Sequence, residues 1–597
     1  MKFTYTIFVV LVILVLSHIF QSCDTKNSIS IHGERKCWNT IEFKINGPET
    51  SENAALNPFL QYRMEALLIH KSDTLAIPGF YAADGNAAET SAQNGETWKV
   101  RFVPEKSGIW KYQIQLWEGE NIAIADKIDT AKHNKLLNIF GEFEVDPADT
   151  TAKGFLGKGR LNYVGERYLQ HAESKEYFLK GGVDSPENFL AYHEFDDTPP
   201  SHFYKSHLDD WVAGDPTWQG DRGKSIIGAL NYLNKQGMNV VYFLTMNVLG
   251  DGEDVWPWTG RNERYRFDCS KLDQWEIVFS HMDRLGISMN VVTQENENQL
   301  LLDAGFTDVQ RKLYYRELVA RFGHHLGIVW NMGEENGPAP WYGNLGQTNQ
   351  QRIEMAEYLR SIDSYNNLLV FHTLPENPER KDLLLPLLGK SFVDGVSLQV
   401  SNVYDVHEVV KEWVSLSADS GRQWVVNLDE IGPWWLGVSP DAVDPDHDTV
   451  RIQGLWGAYM SGAAGTEWYL GREDLTLEDF RTHENMWKQT KIATDFFTAN
   501  LPLAEMKSAD QLIQDQNAWC FAKSNDIYII YLTHGGSVSI DMNEASGIFT
   551  ISWFNPRTGE IVQNGLVETC AGGLVNDIGP PPLEENRDWV AIIRKSK

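Results

Sequence analysis

The sequence predicts an α/β protein: a (β/α)8 TIM barrel flanked by an N-terminal and a C-terminal all-β sandwich. Three observations predict it. Between residues 150 and 500, eight short apolar runs alternate with longer amphipathic ones. On either side, apolar and polar residues alternate strictly over short segments punctuated by Gly and Pro. And 597 residues suffice for several domains, each with its own core.

The segment 30–146 carries "WNTIEFKING" and "TWKVRFVPEKSGIWKYQIQLW", half-buried strands joined by a Lys-Ser-Gly turn, as in immunoglobulin-like sandwiches. In 150–500 the strand candidates are "YFLKGG" (177–182), "VVYFLT" (240–245), "ISMNVV" (287–292) and "LGIVWN" (326–331). Then come "LLVFH" (368–372), "DGVSLQV" (394–400), "WVVNLD" (424–429) and "GTEWYL" (465–470). "GKSIIGALNYLNKQG", "LDQWEIVFSHMDRLG" and "DVQRKLYYRELVARFG" read as intervening helices that stop at Gly. The fifth and sixth helices are poorly marked. A doubly wound open sheet would call for a Gly-rich phosphate loop after the first strand, and "KGGVDSPEN" is not one. The segment 502–597 returns to hairpins, "IYIIYLTHGGSVSIDM" and "GIFTISWFNPRTGEIV".

A net charge of −30 argues against nucleic acid or an anionic membrane surface as partner. Residues 1–23 read as an export signal: Lys2, an apolar core from Ile7 to Leu16, then Ser22-Cys23. Ser22-Cys23 resembles a lipoprotein cleavage site, so the expectation is an exported bacterial protein of the periplasm or cell surface, attached to the outer membrane through lipidated Cys23, with plain secretion or an uncleaved anchor as the alternatives. Cys37, Cys269, Cys520 and Cys570 lack metal-ligand spacing, and no metal or other cofactor is expected. Cys520 and Cys570 could pair in an oxidising compartment; free buried thiols are the simpler reading. "DAVDPDHD" (441–448) reads as a solvated loop, and His324-His325, lying before the fourth strand, as structural.

A parallel barrel carries its chemistry at the C-terminal ends of its strands. Glu334 and Glu335 follow the fourth strand; Asp429 and Glu430 end the seventh, across the mouth. Two carboxylates so placed can flank a glycosidic bond, one protonating the leaving oxygen and the other attacking or activating water. Because neighbouring strand residues face opposite ways, one acid of each pair should face the substrate. Its neighbour should meet a cation or cap a helix. Further sugar-contact candidates are Lys180, Asp184, Glu187 and Asn188 after strand one, and Asn247, Asp251 and Glu253 after strand two. Gln294, Glu295 and Asn298 follow strand three, His372 strand five, and Gln399 and Tyr404 strand six. Lys180 could meet a sulfate or carboxylate on the sugar. Helix capping and loop hydrogen bonding are the alternative for each.

Residues 160–500 resemble a retaining glycoside hydrolase barrel of clan A. That clan ends strand four in W-x-L-x-N-E-P, and this chain has Trp330-Asn331-Met332-Gly333-Glu334-Glu335-Asn336. The resemblance implies that Glu335 is the acid/base. It implies Glu430, in Glu430-Ile431-Gly432, as the nucleophile and Trp468 as the platform under the sugar. Where the clan has Asn before the acid/base, this chain has Glu334, whose charge would raise the pKa of Glu335. "LKGGVDSPENFLAY", "YYRELVARFGHHLGIVWNMGEEN" and "DLTLEDFRTHENMWKQT" look like blocks of secreted bacterial proteins with an apiosidase-like barrel between two sandwiches. "WFNPRTGE" through "DWVAII" resembles a module named for collagen binding in a collagenase. The expected activity is retaining hydrolysis of a plant or algal polysaccharide or oligosaccharide. The competing expectation is a carbohydrate-binding surface lipoprotein without catalysis. A protease or collagen binder finds no HExxH and no nucleophile motif here.

Overall fold

The computed structural model describes residues 28–515, 517–562 and 565–596. The export segment and Cys23 lie outside them. Eight parallel strands close into a barrel: β1 (Lys180–Val183), β2 (Val240–Leu244), β3 (Ser288–Val292), β4 (Ile328–Asn331), β5 (Leu368–His372), β6 (Gly395–Val400), β7 (Val425–Ile431) and β8 (Gly465–Trp468). Closure comes from β1 lying beside β8, Lys180 opposite Gly465 and Val183 opposite Trp468. Every strand residue is buried. Strands covered on both faces read as unbroken apolar runs, which is how the sequence displays them.

The intervening helices are α1 (Lys224–Lys235), α2 (Cys269–Leu285), α3 (Val309–Phe322), α4 (Asn349–Ile362), α5 (Glu379–Leu384), α6 (Val406–Asp419), α7 (Gly457–Ser461) and α8 (Glu484–Asn500). Asp268 caps α2 by accepting from the Lys271 amide at 2.9 Å, and Gly286 ends it at φ +78°. Gly323 after α3 keeps helical angles, φ −59°, so that stop is not a left-handed one. Six-residue α5 is too short to show a helical period. Helix α6 does show one, burying Val406, Val410, Trp413 and Ser417.

The N-terminal strands, from Ile29–His32 to Asn134–Val145, form two antiparallel layers joined through Asp73–Tyr81, which pairs with Tyr62–His70 as far as Gly79 and with Asn94–Phe102 at Phe80 and Tyr81. Their union with the barrel is ionic and dry. Arg101 reaches Asp273 (2.9 Å) and Glu276 (3.2 Å) on α2, and Lys99 reaches Asp273 (3.4 Å). Arg321 of α3 pairs with Glu317 (3.0 Å) and donates to the Tyr81 carbonyl (2.9 Å). His324 and His325 bind the two oxygens of Glu276, each at 3.2 Å. That cluster has three ligand-type side chains, but Arg101 supplies its positive charge. The C-terminal sheet docks through Arg451–Asp588 (2.9 Å), Trp456 stacked on Tyr531, and Asp510 held by His407 (2.9 Å) and Lys411 (3.0 Å). The four cysteines in the described residues are free and buried.

Candidate active site

Strand β4 stops at Asn331, and the chain then turns sharply. Gly333 adopts φ +147°, where a Cβ would stand 2.8 Å from the Gln294 side chain. Glu335 adopts φ +41°, a left-handed conformation that costs a non-glycine residue about 1 kcal/mol or more. Three bonds hold the turn: the Glu334 amide donates to the Gln294 carbonyl (3.0 Å), the Glu335 amide to His372 Nδ1 (3.1 Å), and Asn296 Nδ2 to the Glu335 carbonyl (2.7 Å). Both glutamates follow the strand rather than lie on it. The pleat therefore does not separate them, and both reach the mouth, contrary to the one-in, one-out expectation.

The second acid pair departs from that expectation through a bulge. Leu398 pairs with Leu428, but Gln399 pairs with Glu430, so Asp429 is an extra residue in β7. A bulge re-aims the side chains beyond it. Asp429 drops into the barrel interior, binding Lys180 Nζ at 2.5 Å, while Glu430 rises to the mouth. Lys180 also binds Glu467 at 3.1 Å, and Asn290 donates to Glu467 at 3.0 Å. Lys180, Asn290 and Asp429 line the closed barrel core with Val240, Ser288 and Val425. Lys180 and Asp429 are thus corrected from sugar contacts to an internal ion cluster, since each already satisfies the other.

Between Glu335 and Glu430 stand His372 and Gln399. Since His372 Nδ1 accepts from the Glu335 amide, its proton sits on Nε2, 3.6 Å from a Glu430 oxygen. Burial and Lys180 hold this imidazole neutral, its pKa lowered to about 3. The Gln399 amide faces both carboxyls and favours their charged forms. Burial, then Glu297 and Asp251, push the Glu335 carboxyl up to about 8. The rise is in the expected direction, but burial leads it rather than Glu334. Burial and the charge of Glu335 hold Glu430 well above the usual carboxylate range. A proton shared by two such groups leaves one as acid and one as anion.

More acids surround the pair. Asp184 and Glu187 follow β1, and burial with neighbouring carboxylates raises both well above their ordinary values. Asp474 stands beside them, pushed up to about 7 by burial; its carboxylate accepts from the Glu187 amide at 3.2 Å. Glu334 feels Glu295, Glu430 and Glu335. The sequence reading missed Asp474, Tyr242 and Tyr469. The Tyr242 hydroxyl is wholly buried without a partner, its ring 6.1 Å from that of His372. Tyr469, next after β8, donates to the Trp434 carbonyl at 3.3 Å and lies in the field of Glu187 and Glu430. A polar-tipped residue inside an apolar strand run was the available signal for Tyr242.

Several candidates prove to be scaffold. Trp468 is wholly buried and donates to Thr490 of α8 at 2.8 Å, so it faces the helices and not a sugar. Strand alternation accounts for this, because Glu467 before it points inward. Asn188 binds Asp254 (2.9 Å) and His202 (2.7 Å), and Asn247 organises its own loop through Asp251 and Asp254. Gln294 is engaged by Gln347 and Arg311, leaving neither end of its amide for a ligand. Glu295 accepts from the Asp251 amide at 2.8 Å with its other oxygen unpartnered, and Asn298 caps the Glu295 amide at 2.9 Å. Tyr404 is exposed on the β6 loop. Of the 21 Trp, three are exposed: Trp341 on the β4 loop, and Trp434 and Trp435 on the β7 loop.

Residues 34–116 match a family described as "Domain of unknown function (DUF5060)", and residues 508–594 one described as "Putative collagen-binding domain of a collagenase". No curated protein matches the sequence. Among solved structures, the chain is similar to one titled a "putative glycoside hydrolase" from Bacteroides vulgatus, with 16% identity and TM-score 0.63, covering 95% of this chain and 100% of that one. It is also similar to a glycoside hydrolase family 5 structure from the same organism, with 16% identity and TM-score 0.53, covering 74% of this chain and 94% of that one. A third, titled "Glycoside hydrolase", has 14% identity and TM-score 0.51, over 75% of this chain and 99% of that one. The chain therefore shares its fold, over most of its length, with structures described as glycoside hydrolases.

Proposed function

We propose that this protein is a glycoside hydrolase acting by retaining double displacement on a plant or algal polysaccharide or oligosaccharide. One observation carries the reading: Gln399 faces both carboxyls, while His372 accepts from the Glu335 backbone amide and holds its Nε2 3.6 Å from a Glu430 oxygen, so both acids share one corner of the barrel mouth. Glu430 attacks the anomeric carbon while Glu335, which holds a proton at neutral pH, protonates the leaving oxygen. Glu335 then takes a proton from the water that hydrolyses the glycosyl-enzyme. His372 Nε2–H offers a fixed dipole to the anionic state of Glu430, and Gln399 keeps the two side chains in register. The exposed Trp341, Trp434 and Trp435 on the β4 and β7 loops supply flat apolar faces for sugar rings beyond the gap.

The protein acts outside the cytoplasm, exported and anchored through Cys23, in keeping with a polymeric substrate. Among the described residues no helix is long and apolar enough to cross a membrane.

The test is a panel of plant and algal polysaccharides, with reducing ends measured and the anomeric configuration of the first product followed by NMR. Release with retained configuration, reduced at least about 10⁴-fold in folded Glu430→Gln, is the expected result. Inverted product, or full activity in the variant, refutes the assignment.

A further inference from the structure

The charges around the two glutamates are one-sided. Asp184, Glu187, Glu334 and Asp474 share the mouth with Glu335 and Glu430, and the leading electrical influences on Asp184, Glu187 and Glu430 are other carboxylates. Cations do stand nearby, each engaged elsewhere. Lys180 is held beneath by Asp429 and Glu467. Arg380 lies behind Gln399, donating to the backbone carbonyls of Pro375 and Gln399. Arg472 lies at the rim with its guanidinium over the Trp434 ring, 5.1 Å away. His372 is neutral.

The second observation is independent of charge. Both oxygens of Asp184, which is 1% exposed, lack a hydrogen-bond partner, as do Glu334 Oε2, Glu430 Oε2, Gln399 Oε1 and the Tyr242 hydroxyl. Acceptors therefore predominate; the donors left open beside them are the Tyr242 hydroxyl and His372 Nε2–H. Unpaired buried acceptors are costly, and a structure keeps them where a ligand will supply the donors. A sugar hydroxyl is such a donor. A uronate carboxylate or a sulfate ester is an acceptor only: it brings no donor to these oxygens, and its charge would oppose ionisation of Glu430 still further.

Resting on the hydrolase reading above, we infer that the glycosyl unit held between Glu335 and Glu430 is uncharged and rich in free hydroxyls, which donate to Asp184, Glu187 and Glu334. Uronate and sulfated units are rejected from this position, whatever the rest of the polymer carries. The ring of carboxyls acts as a specificity filter: its open acceptors take hydroxyl donors, and an anionic substituent offers none. Replacing the clan's usual Asn by Glu334 strengthens that filter at the point nearest the reaction.

The unit that occupied this position becomes the new reducing end, so its identity can be read directly. Polysaccharides with neutral and with acidic backbones are digested, and the new reducing ends are labelled and analysed by mass and charge. Neutral reducing ends, with kcat/KM lowered at least a hundredfold in Asp184→Asn and in Glu187→Gln, are expected. Uronate or sulfated reducing ends overturn the inference while leaving the hydrolase reading intact. Absence of release from every glycan would instead remove the hydrolase reading. Binding to the Glu430→Gln protein is then decisive, using methyl-esterified and de-esterified oligogalacturonides and neutral xylo- and manno-oligosaccharides as probes. Neutral probes that bind at least tenfold tighter than the de-esterified one, and lose that preference with Asp184→Asn added, support it. Equal or tighter binding of the acidic probe, or no binding of any neutral one, overturns it.

Discussion

Two regions of this molecule bury many carboxylates, and they treat them in opposite ways. Where the N-terminal sandwich meets α2 and α3, Asp273, Glu276 and Glu317 are each matched by Lys99, Arg101 or Arg321 at 2.9 to 3.4 Å. Those cations, with His324 and His325 beside Glu276, hold Asp273 below the usual carboxylate range and Glu276 well below it, while burial keeps Glu317 above its ordinary value. At the barrel mouth, Asp184, Glu187, Glu334 and Glu430 have no Lys or Arg partner among the described residues, and all are held well above the usual carboxylate range. The same residue types, all buried but for a partly exposed Glu334, serve cohesion in one place and chemistry in the other. The difference is the counter-ion. Balanced charge makes a joint, whereas unbalanced charge stores protons and waits for donors.

The comparison can be broken first at the joint. Arg101→Met leaves Asp273 to Lys99 and Glu276 to His324 and His325, and loss of about 3 kcal/mol of stability is expected. Urea unfolding of the variant measures it; a loss below 1 kcal/mol would mean the interface is not built on these pairs. At the mouth, Glu335→Gln should lower kcat/KM by about 10²–10³-fold on substrates with poor leaving groups, and far less on activated aryl glycosides, without unfolding. In the wild type the basic limb of kcat/KM should fall near pH 8, because Glu335 must hold its proton; the limb should vanish in the variant. A limb unmoved by the substitution assigns that ionisation elsewhere. The smallest effect is a gain. Asp184 binds its proton more tightly folded than unfolded, so its contribution to stability falls as pH rises from the usual aspartate range through its raised folded value. Asp184→Asn removes that penalty and should stabilise the protein by about 1–2 kcal/mol at pH 8, with no gain below the usual aspartate range. Thermal melts across pH would show it; equal stabilisation at acid and alkaline pH would contradict the electrical account.

The barrel was legible because its strands are buried on both faces and so appear as apolar runs broken by amphipathic helices. The carboxylates at the ends of β4 and β7 were legible by the same logic, since parallel barrels expose chemistry at one end only. What the sequence concealed was side-chain phase. Nothing in "GTEW" tells which of Glu467 and Trp468 points inward, and the inward glutamate turned Trp468 to the helices. Lys180 looked free for a sulfate because its partners lie 249 and 287 residues later in the chain. The left-handed turn at Glu335, on which the approach to His372 depends, has no glycine to announce it.

The inserted residue in β7 has a wider consequence. It gives one strand two storeys: residue 429 belongs to the electrostatic foundation and residue 430 to the workshop above it. The address of the nucleophile is therefore a matter of counting as well as of spelling. Two chains that share an Asp-Glu pair at this strand raise different carboxylates to the mouth according to whether that extra residue is present.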